Sequence, residues 1–570
     1  MKRNIENDLV IVLAGEAGQG IQSIEGILSS LLKRSGYNVF SASEFMSRVR
    51  GGANSTELRI SSKPVSGFVD RIDILIPLHA EAIAHLEKRI FPGTLIIGER
   101  EKVPHDRIID VPFTGIATRL GNALFSNTVA AGLICGLLKI EEKECEEFIL
   151  SYFSTKNEEV QGKNLQALQA GYAEGKTLSQ INITLQPDAA VKNDMLLSGA
   201  DAVALGALAG GCNYVCGYPM SPATSLLEKM ASFSAKYDII VEQVEDEIGV
   251  VNMALGAWYA GARALVSTSG GGFALMTEGV SLCGMIESPL VLHLAQRPGP
   301  ATGLPTRTEQ GDLNLVLYAG HGDFPRIILA PGTLRQGFSL TGQAFDLADR
   351  YQVPVFILTD QFFVDSKYNT PSFAIPKTAA ENHFVETPKE YKRFLLTDTG
   401  ISPRGIPGFG TGSVCADSDE HDEDGHITED LDLRVRMVDK RNKKREAIAE
   451  AVIPPTLLGP AVYRTLVVCW GSTVNTVAEA VQNLENKDIA VLHFSWIFPL
   501  PNNTREYLER AEKVLIVENN SSAQFAQLIK LSTGIDIPDK ILKYNGLPFS
   551  VEELMHRIMN LAPKGGKDGK

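Results

Sequence analysis

The sequence has no CxxC pair, no apolar run approaching the ~18 residues that span a bilayer, and no excess of positive charge. Each absence removes a class of function. Its seven cysteines, at 135, 145, 212, 216, 283, 415 and 469, are scattered and odd in number, as for reduced thiols in a reducing compartment. Cys212 and Cys216 have no second pair nearby to complete a zinc or iron–sulfur ligand set, and read as small core residues. A formal charge of −14, from 54 Lys plus Arg against 68 Asp plus Glu, argues against sequence-independent nucleic-acid binding. The start, "MKRNIENDLVIVLAG", reads as a first strand rather than a signal peptide, so a cytoplasmic protein with no membrane or nucleic-acid partner is expected.

What is present is a globular composition, 44% hydrophobic and 21% charged over 570 residues. That length predicts about three to four domains. Short apolar runs alternating with helical patterns predict a multidomain α/β fold. The first domain is expected over 8–185, with a long helical stretch at about 114–139, a closing helix at 157–175 and a polar linker after it. A second α/β domain is expected over 196–375, and a third, smaller one over 456–565. Between the last two, residues 376–455 lose the pattern and read as an interdomain arm with loops.

Gly15, Gly18 and Gly20 sit where the first strand turns into a helix, a place where backbone amides can meet a phosphate. Their spacing is GxxGxG rather than the dinucleotide GxGxxG, so a ligand-free tight turn is an equal alternative and a nicotinamide dehydrogenase ranks last. Arg48 and Arg50 precede a glycine pair in an expected loop, suited to a phosphate or to water. Glu247 opens a helix whose apolar face is expected to comprise Ile248, Val251, Leu255 and Trp258. Its carboxylate either complements the helix dipole or holds a cofactor nitrogen. Arg297 closes a strand and could bind a carboxylate or face solvent. The acidic "DEHDEDGHITED" reads as a solvated loop in preference to a metal loop.

Taken in order, "GEAGQG", "RVRGG", "GYPMSPAT", "EQVEDEIGVVNMALGA", "TSGGGFALMTE", "QRPGPATGLPTRTEQGDL" and "VENNSSAQFAQL" resemble the 2-oxoacid:ferredoxin oxidoreductases, in the form with a gamma-type domain fused ahead of the alpha subunit. The resemblance spans about residues 8–562. It implies a gamma-type domain, a pyrimidine-type domain of a thiamine enzyme and a transketolase C-terminal-like domain. The implied reaction converts a 2-oxoacid and coenzyme A to an acyl-CoA and carbon dioxide, with reduction of ferredoxin. The sequence lacks a GDG magnesium motif and cluster-type cysteine spacing. Thiamine diphosphate with its magnesium, and the iron–sulfur cluster, are therefore expected mainly on a beta partner subunit, in a heterodimer or a dimer of heterodimers.

By resemblance, Glu247 hydrogen-bonds the aminopyrimidine, Ser221 replaces a threonine and Met220 an isoleucine of the family's "YPITP", and Arg297 meets the substrate carboxylate or developing charge. Tyr218, Met220, Thr224 and Thr306 are implied as substrate-binding neighbours, although Thr224 is also expected to cap the next helix, leaving Ser221 as the hydroxyl that faces the chemistry. Gly271 stands where the family's glycine loop has proline. Gly15, Gly18, Gly20, Arg50, Gly51 and Gly52 are implied for coenzyme A. The substrate reads as 2-oxoglutarate-like or broad. The rivals are a non-redox thiamine enzyme subunit and a non-catalytic scaffold paralogue.

Overall fold

The computed structural model describes residues 3–16, 19–46, 52, 54–178, 181–375 and 381–562. The chain is multidomain α/β, as expected, and divides into two compact units: residues 1–197 with 366–372, and residues 198–365 with 373–570.

The first unit is built on an eight-stranded mixed sheet. Asp8–Gly15 runs at its centre, parallel to Ile74–Pro77 and antiparallel to Asn54–Ser61. Apolar faces of Ile21–Arg34 and Ser126–Leu138 cover it. Ser126–Leu138 meets Glu158–Thr177 backbone to backbone, because a Cβ on Gly132 or Gly171 would strike the opposing carbonyl. The expected continuous helix at 114–139 is two helices, Phe113–Arg119 and Ser126–Leu138, separated by a turn in which Asn122 caps Leu124. Within the expected linker, Ile181–Thr184 pairs in parallel with Arg3–Glu6.

The fully buried strand Asn54–Ser61 was not legible as a strand. Its pattern is masked by charge, since Arg59 forks onto Asp8 at 2.6 and 3.0 Å and Glu57 takes Arg89 at 2.5 Å. Burial raises the Asp8 pKa, but Arg59 and Arg71 outweigh it and hold the carboxyl below its ordinary value. Paired charges satisfy one another inside the sheet in place of an apolar alternation.

The second unit has a seven-stranded sheet in the order Ile240–Gln243, Tyr214–Gly217, Ala264–Thr268, Leu290–Gln296, Pro354–Asp360, Ile327–Leu329 and Trp496–Phe498. All neighbours are parallel except the last pair. The chain leaves Tyr214–Gly217 to one side and returns to its other side at Ala264–Thr268, so a topological switch point lies at the carboxyl ends of these two strands. A five-stranded sheet, from Thr456–Leu458 to Asp539–Leu542, completes the unit.

The patternless arm is more ordered than its sequence implied, for it holds the 21-residue helix Leu431–Ala451. That helix buries Lys440, Arg441 and Lys444 between Met437 and Ile448, with Glu287 and Glu420 as the acceptors of the three cations. In the acidic loop His421 is buried against the Phe394 ring, and among the described residues no group of His, Cys, Asp and Glu is arranged to hold a metal. Among the described residues, no helix is long and apolar enough to cross a membrane.

Candidate active site

The switch point places the loops after Gly217, Gln243, Thr268 and Gln296 on one edge of the sheet. Glu247 is the first residue of the helix Glu247–Tyr259, but it does not serve the helix end. Asp246 does, accepting the Gly249 amide at 2.7 Å. Glu247 turns inward instead: it is 4% exposed, and its Oε1 is buried with no hydrogen-bond partner. The buried face of the helix comprises Val250, Val251, Ala254, Leu255 and Trp258. Ile248, expected in that face, is 52% exposed, since it lies off the buried stripe of Glu247, Val250, Val251 and Ala254.

The turn Gly270–Gly272 lies against Glu247 on one side and Asp312 on the other. A Cβ on Gly272 would stand 2.6 Å from Glu247 Oε1, and one on Gly270 would stand 2.6 Å from Asp312 Oδ1. Gly271 is open, with its nearest neighbour at 3.8 Å. Two of the three glycines are thus required by close approach and the middle one is not.

Arg297, just past Leu290–Gln296, donates from a guanidinium NH₂ to the Ser221 carbonyl at 2.6 Å, while its buried Nε has no partner. Burial lowers its pKa and the nearby Asp312 raises it, with a net fall. Asp312 is positioned by its amide, which donates to Gln296 Oε1 at 3.0 Å, and its Oδ2 is buried and unpartnered. Burial pushes the Asp312 carboxyl up to about 6 against the pull of Arg297, and burial together with Asp312 pushes Glu309 up to about 7. His293 bridges Ser267 Oγ at 3.0 Å and Thr359 Oγ1 at 2.8 Å beneath this edge, and burial lowers its pKa to about 3, which keeps it neutral.

Ser221, Tyr218 and Met220 share the loop after Tyr214–Gly217; Ser221 and Tyr218 are exposed and Met220 half-buried. Ser221 contributes its carbonyl to Arg297. Thr224 does not cap. It is the first residue of Thr224–Tyr237, whose N-cap Ala223 is already helical, and Ser225 rather than Thr224 closes the turn by donating to the Pro222 carbonyl at 3.0 Å. Thr306 lies half-buried in the loop after Arg297.

Sequence reasoning missed Glu309, Gln310 and Asp312, although they stand inside a quoted motif. Two acids three residues apart, in the loop that follows a strand-end arginine, were the available signal. Gln310 locks this loop, its side chain accepting from the Asn519 amide at 3.0 Å and donating to the Trp470 carbonyl at 2.9 Å. Asn520 adds a donor to the Gln310 carbonyl at 3.1 Å, so the "VENN" segment clamps the loop, and the buried Glu518 braces it by taking the Phe525 and Ala526 amides at 3.0 Å each.

In the first unit, Gly15 ends its strand and Gly20, at φ 81°, precedes Ile21–Arg34. Side chains of Gln19 and Asn127 occupy the space beside them. Gly52 has φ 87° and packs on Met46. Gly18, Arg48, Arg50 and Gly51 lie outside the described residues. A cavity of about 430 Å³ beside the turn is lined by Gln19, Lys102, Thr114, Asn122 and Asn127, among others.

Residues 205–440 match the family described as pyruvate flavodoxin/ferredoxin oxidoreductase, thiamine diP-bdg, and residues 10–174 match pyruvate ferredoxin/flavodoxin oxidoreductase. The 2-oxoacid:ferredoxin oxidoreductase subunit alpha of a Sulfolobus species is 31% identical, over 98% of this chain and 97% of that protein. The 2-oxoglutarate synthase subunit KorA of Methanothermobacter thermautotrophicus is 30% identical over 65% of this chain and 99% of its own. A solved 2-oxoglutarate:ferredoxin oxidoreductase from Magnetococcus marinus, with 2-oxoglutarate, coenzyme A and succinyl-CoA bound, superposes with a TM-score of 0.90 at 30% identity, covering 97% of this chain and 99% of that one. With its inward-turned carboxylate at the switch point and near-full-length matches on both sides of it, the chain belongs to the alpha subunits of the 2-oxoacid:ferredoxin oxidoreductases.

Proposed function

We propose that this chain supplies the pyrimidine side of a thiamine-dependent active site for coenzyme A-dependent oxidative decarboxylation of a 2-oxoacid. A beta subunit carrying the diphosphate, its magnesium and an iron–sulfur cluster completes the site, and ferredoxin takes the electrons. One observation carries this reading: Glu247 presents a buried Oε1 with no hydrogen-bond partner against Gly272, an acceptor that suits an aminopyrimidine N–H. Bound there, thiamine diphosphate supplies the carbanion centre on which decarboxylation depends.

The chain's own residues bind and orient. Glu247 would accept a hydrogen bond from the protonated ring nitrogen and so hold that proton on the ring. Arg297, its NH₂ already committed to Ser221, turns its remaining donors towards the 2-oxoacid carboxylate. Ser221 donates its hydroxyl, with Tyr218, Met220 and Thr306 as the surrounding wall. The 2-oxoglutarate named for the Magnetococcus and Methanothermobacter relatives is the first substrate to try, with pyruvate and branched 2-oxoacids for breadth. The cavity beside Gly15 and Gly20 is assigned to coenzyme A, as is the glycine and arginine set that includes Gly18, Arg50, Gly51 and Gly52. The uncapped first turn of Ile21–Arg34, free of acidic residues, favours a phosphate.

Reconstitution with the beta subunit and a substrate panel tests the proposal. Acyl-CoA and reduced ferredoxin are expected, whereas an aldehyde or acyloin would indicate a non-redox thiamine enzyme, and no turnover with any 2-oxoacid would indicate a scaffold.

The glycine turn gives a sharper test. Gly272→Ala drives a methyl into Thr268 Oγ1 and Glu247 Oε1, a displacement of about 1–3 kcal/mol. Thiamine diphosphate should therefore bind the reconstituted complex roughly ten- to a hundredfold more weakly by fluorescence titration. Gly271→Ala, in open space, should leave binding unchanged.

The two carboxyls beside Arg297 predict a pH dependence. Below about 6 both Asp312 and Glu309 are protonated and neutral, and as pH rises through 6 to 7 they ionise next to the anionic substrate. The KM for the 2-oxoacid should rise severalfold across that interval, by up to about 1 kcal/mol of like-charge opposition. Asp312→Asn should flatten the rise near pH 6.

A further inference from the structure

Among the described residues, buried cations pair with carboxylates except Arg326 and Arg393, and Arg393 lies in the field of Glu287 and donates to its backbone carbonyl at 2.7 Å. Arg59 has Asp8, Arg263 and Arg404 share Asp349, Arg441 has Glu420, and Lys440 and Lys444 share Glu287. Arg326 is 6% exposed and has no carboxylate within ion-pair distance among the described residues. It donates to the Val316 carbonyl at 2.8 Å and lies over the Phe324 ring at 4.5 Å from its centre.

Arg326 precedes Ile327–Leu329, at the amino end of the strands and so at the opposite edge of the sheet from Arg297. There it lines a cavity of about 350 Å³ together with Arg445 from the helix Leu431–Ala451. Burial lowers the Arg326 pKa to about 10, and the Arg445 charge acts in the same direction, while a nearby Cys283 opposes. Asp323 lines the same cavity, yet pairs with neither arginine. Two guanidiniums that repel one another in one concave space, neither in an ion pair among the described residues, are a fork-shaped receptor for an oxyanion. The rest of the wall is apolar or aromatic, from Phe324, Tyr318, Ile448 and Phe498. The volume is that of a small-ligand pocket.

We propose that this cavity binds a small phosphate or carboxylate with an apolar or aromatic body, its oxyanion held between Arg326 and Arg445. The site is separate from the thiamine side of the molecule and does not rest on the functional reading above.

The test uses the complete enzyme complex with three probes, inorganic phosphate, benzoate and adenosine monophosphate, each against potassium chloride at matched ionic strength. At least one probe is expected to bind the wild-type complex saturably, at one site per alpha chain by calorimetry, and to raise its thermal midpoint. Phosphate binding alone would mark a bare anion site. Preference for benzoate would mark a carboxylate ligand, and preference for adenosine monophosphate a nucleotide-like one.

Arg445→Gln, at an exposed position, should weaken that binding about ten- to a hundredfold while leaving probe-free turnover unchanged. Arg326→Lys, which keeps the charge but loses the planar fork, provides the second variant should Arg445 contribute little. Loss of affinity in either variant supports the site. Absence of saturable binding by all three probes, or unchanged affinity in both variants, overturns it.

Discussion

Turnover of the reconstituted complex should fall about 10²–10⁴-fold when Glu247 is replaced by Gln, the range lost with a positioned acid–base group. Gln keeps the length of the side chain and fits the same space against Gly272, so packing of the helix Glu247–Tyr259 is preserved. What it loses is the negative charge that would hold a proton on the ring nitrogen. The helix itself depends on Asp246 for its cap, so the thermal midpoint should move by no more than a degree or two. Glu247→Asp withdraws the carboxylate by one methylene and should fall between wild type and Gln. The measurement is single-turnover acyl-CoA formation, with gel filtration to verify assembly. Full activity in Glu247→Gln would reduce Glu247 to a buried structural carboxylate and remove the basis of the proposed function.

The parts of the fold legible in the sequence were those where backbone geometry dictates residue type. The strand-end glycines at 15, 20, 270 and 272 stand where chain or side chain approaches too closely for a Cβ, and such positions leave a mark in any sequence. The apolar strands Leu290–Gln296 and Pro354–Asp360, buried on both faces, were equally plain.

The illegible elements share a different physical cause. Asn54–Ser61 and Leu431–Ala451 bury charges that neutralise one another across long sequence distances, Arg59 with Asp8 and Lys444 with Glu287. Hydrophobic periodicity has nothing to register in such segments, because the interior is satisfied by pairing rather than by apolarity. The same holds within the site. Glu247 could be placed at a helix start from the sequence, but only the structure shows Asp246 taking the cap and Glu247 turning in. Thr224 shows the opposite failure, a hydroxyl at a plausible capping position that the preceding turn, already helical at Ala223, leaves unused.

Buried pairing also sets the second large expected effect. Glu287, 1% exposed, lies just ahead of Leu290–Gln296, the strand that ends at Arg297, and receives Lys440 at 2.5 Å and Lys444 at 2.6 Å from the helix Leu431–Ala451. Burial raises its pKa, but Lys444, Lys440 and Arg393 together outweigh burial and leave it well below the ordinary 4.5. Burial lowers Lys440 to about 8 even with Glu287 beside it. Glu287→Gln would therefore strand two ammonium groups in the interior, at a loss of about 3–5 kcal/mol of stability. The midpoint of urea unfolding, followed on the holo-complex, should drop accordingly. Replacing the triad as a whole, with Glu287→Leu, Lys440→Met and Lys444→Met, should recover most of that loss, because no charge is then left unpaired. The pH dependence has a definite sign. With its folded pKa below 4.5, Glu287 contributes stability that is complete above that value and drains away as pH falls below it, since the unfolded chain takes the proton first. The Gln variant should lack that part of the acid limb, and an identical acid limb in both proteins would show that the pairs to Lys440 and Lys444 do not hold the helix in place.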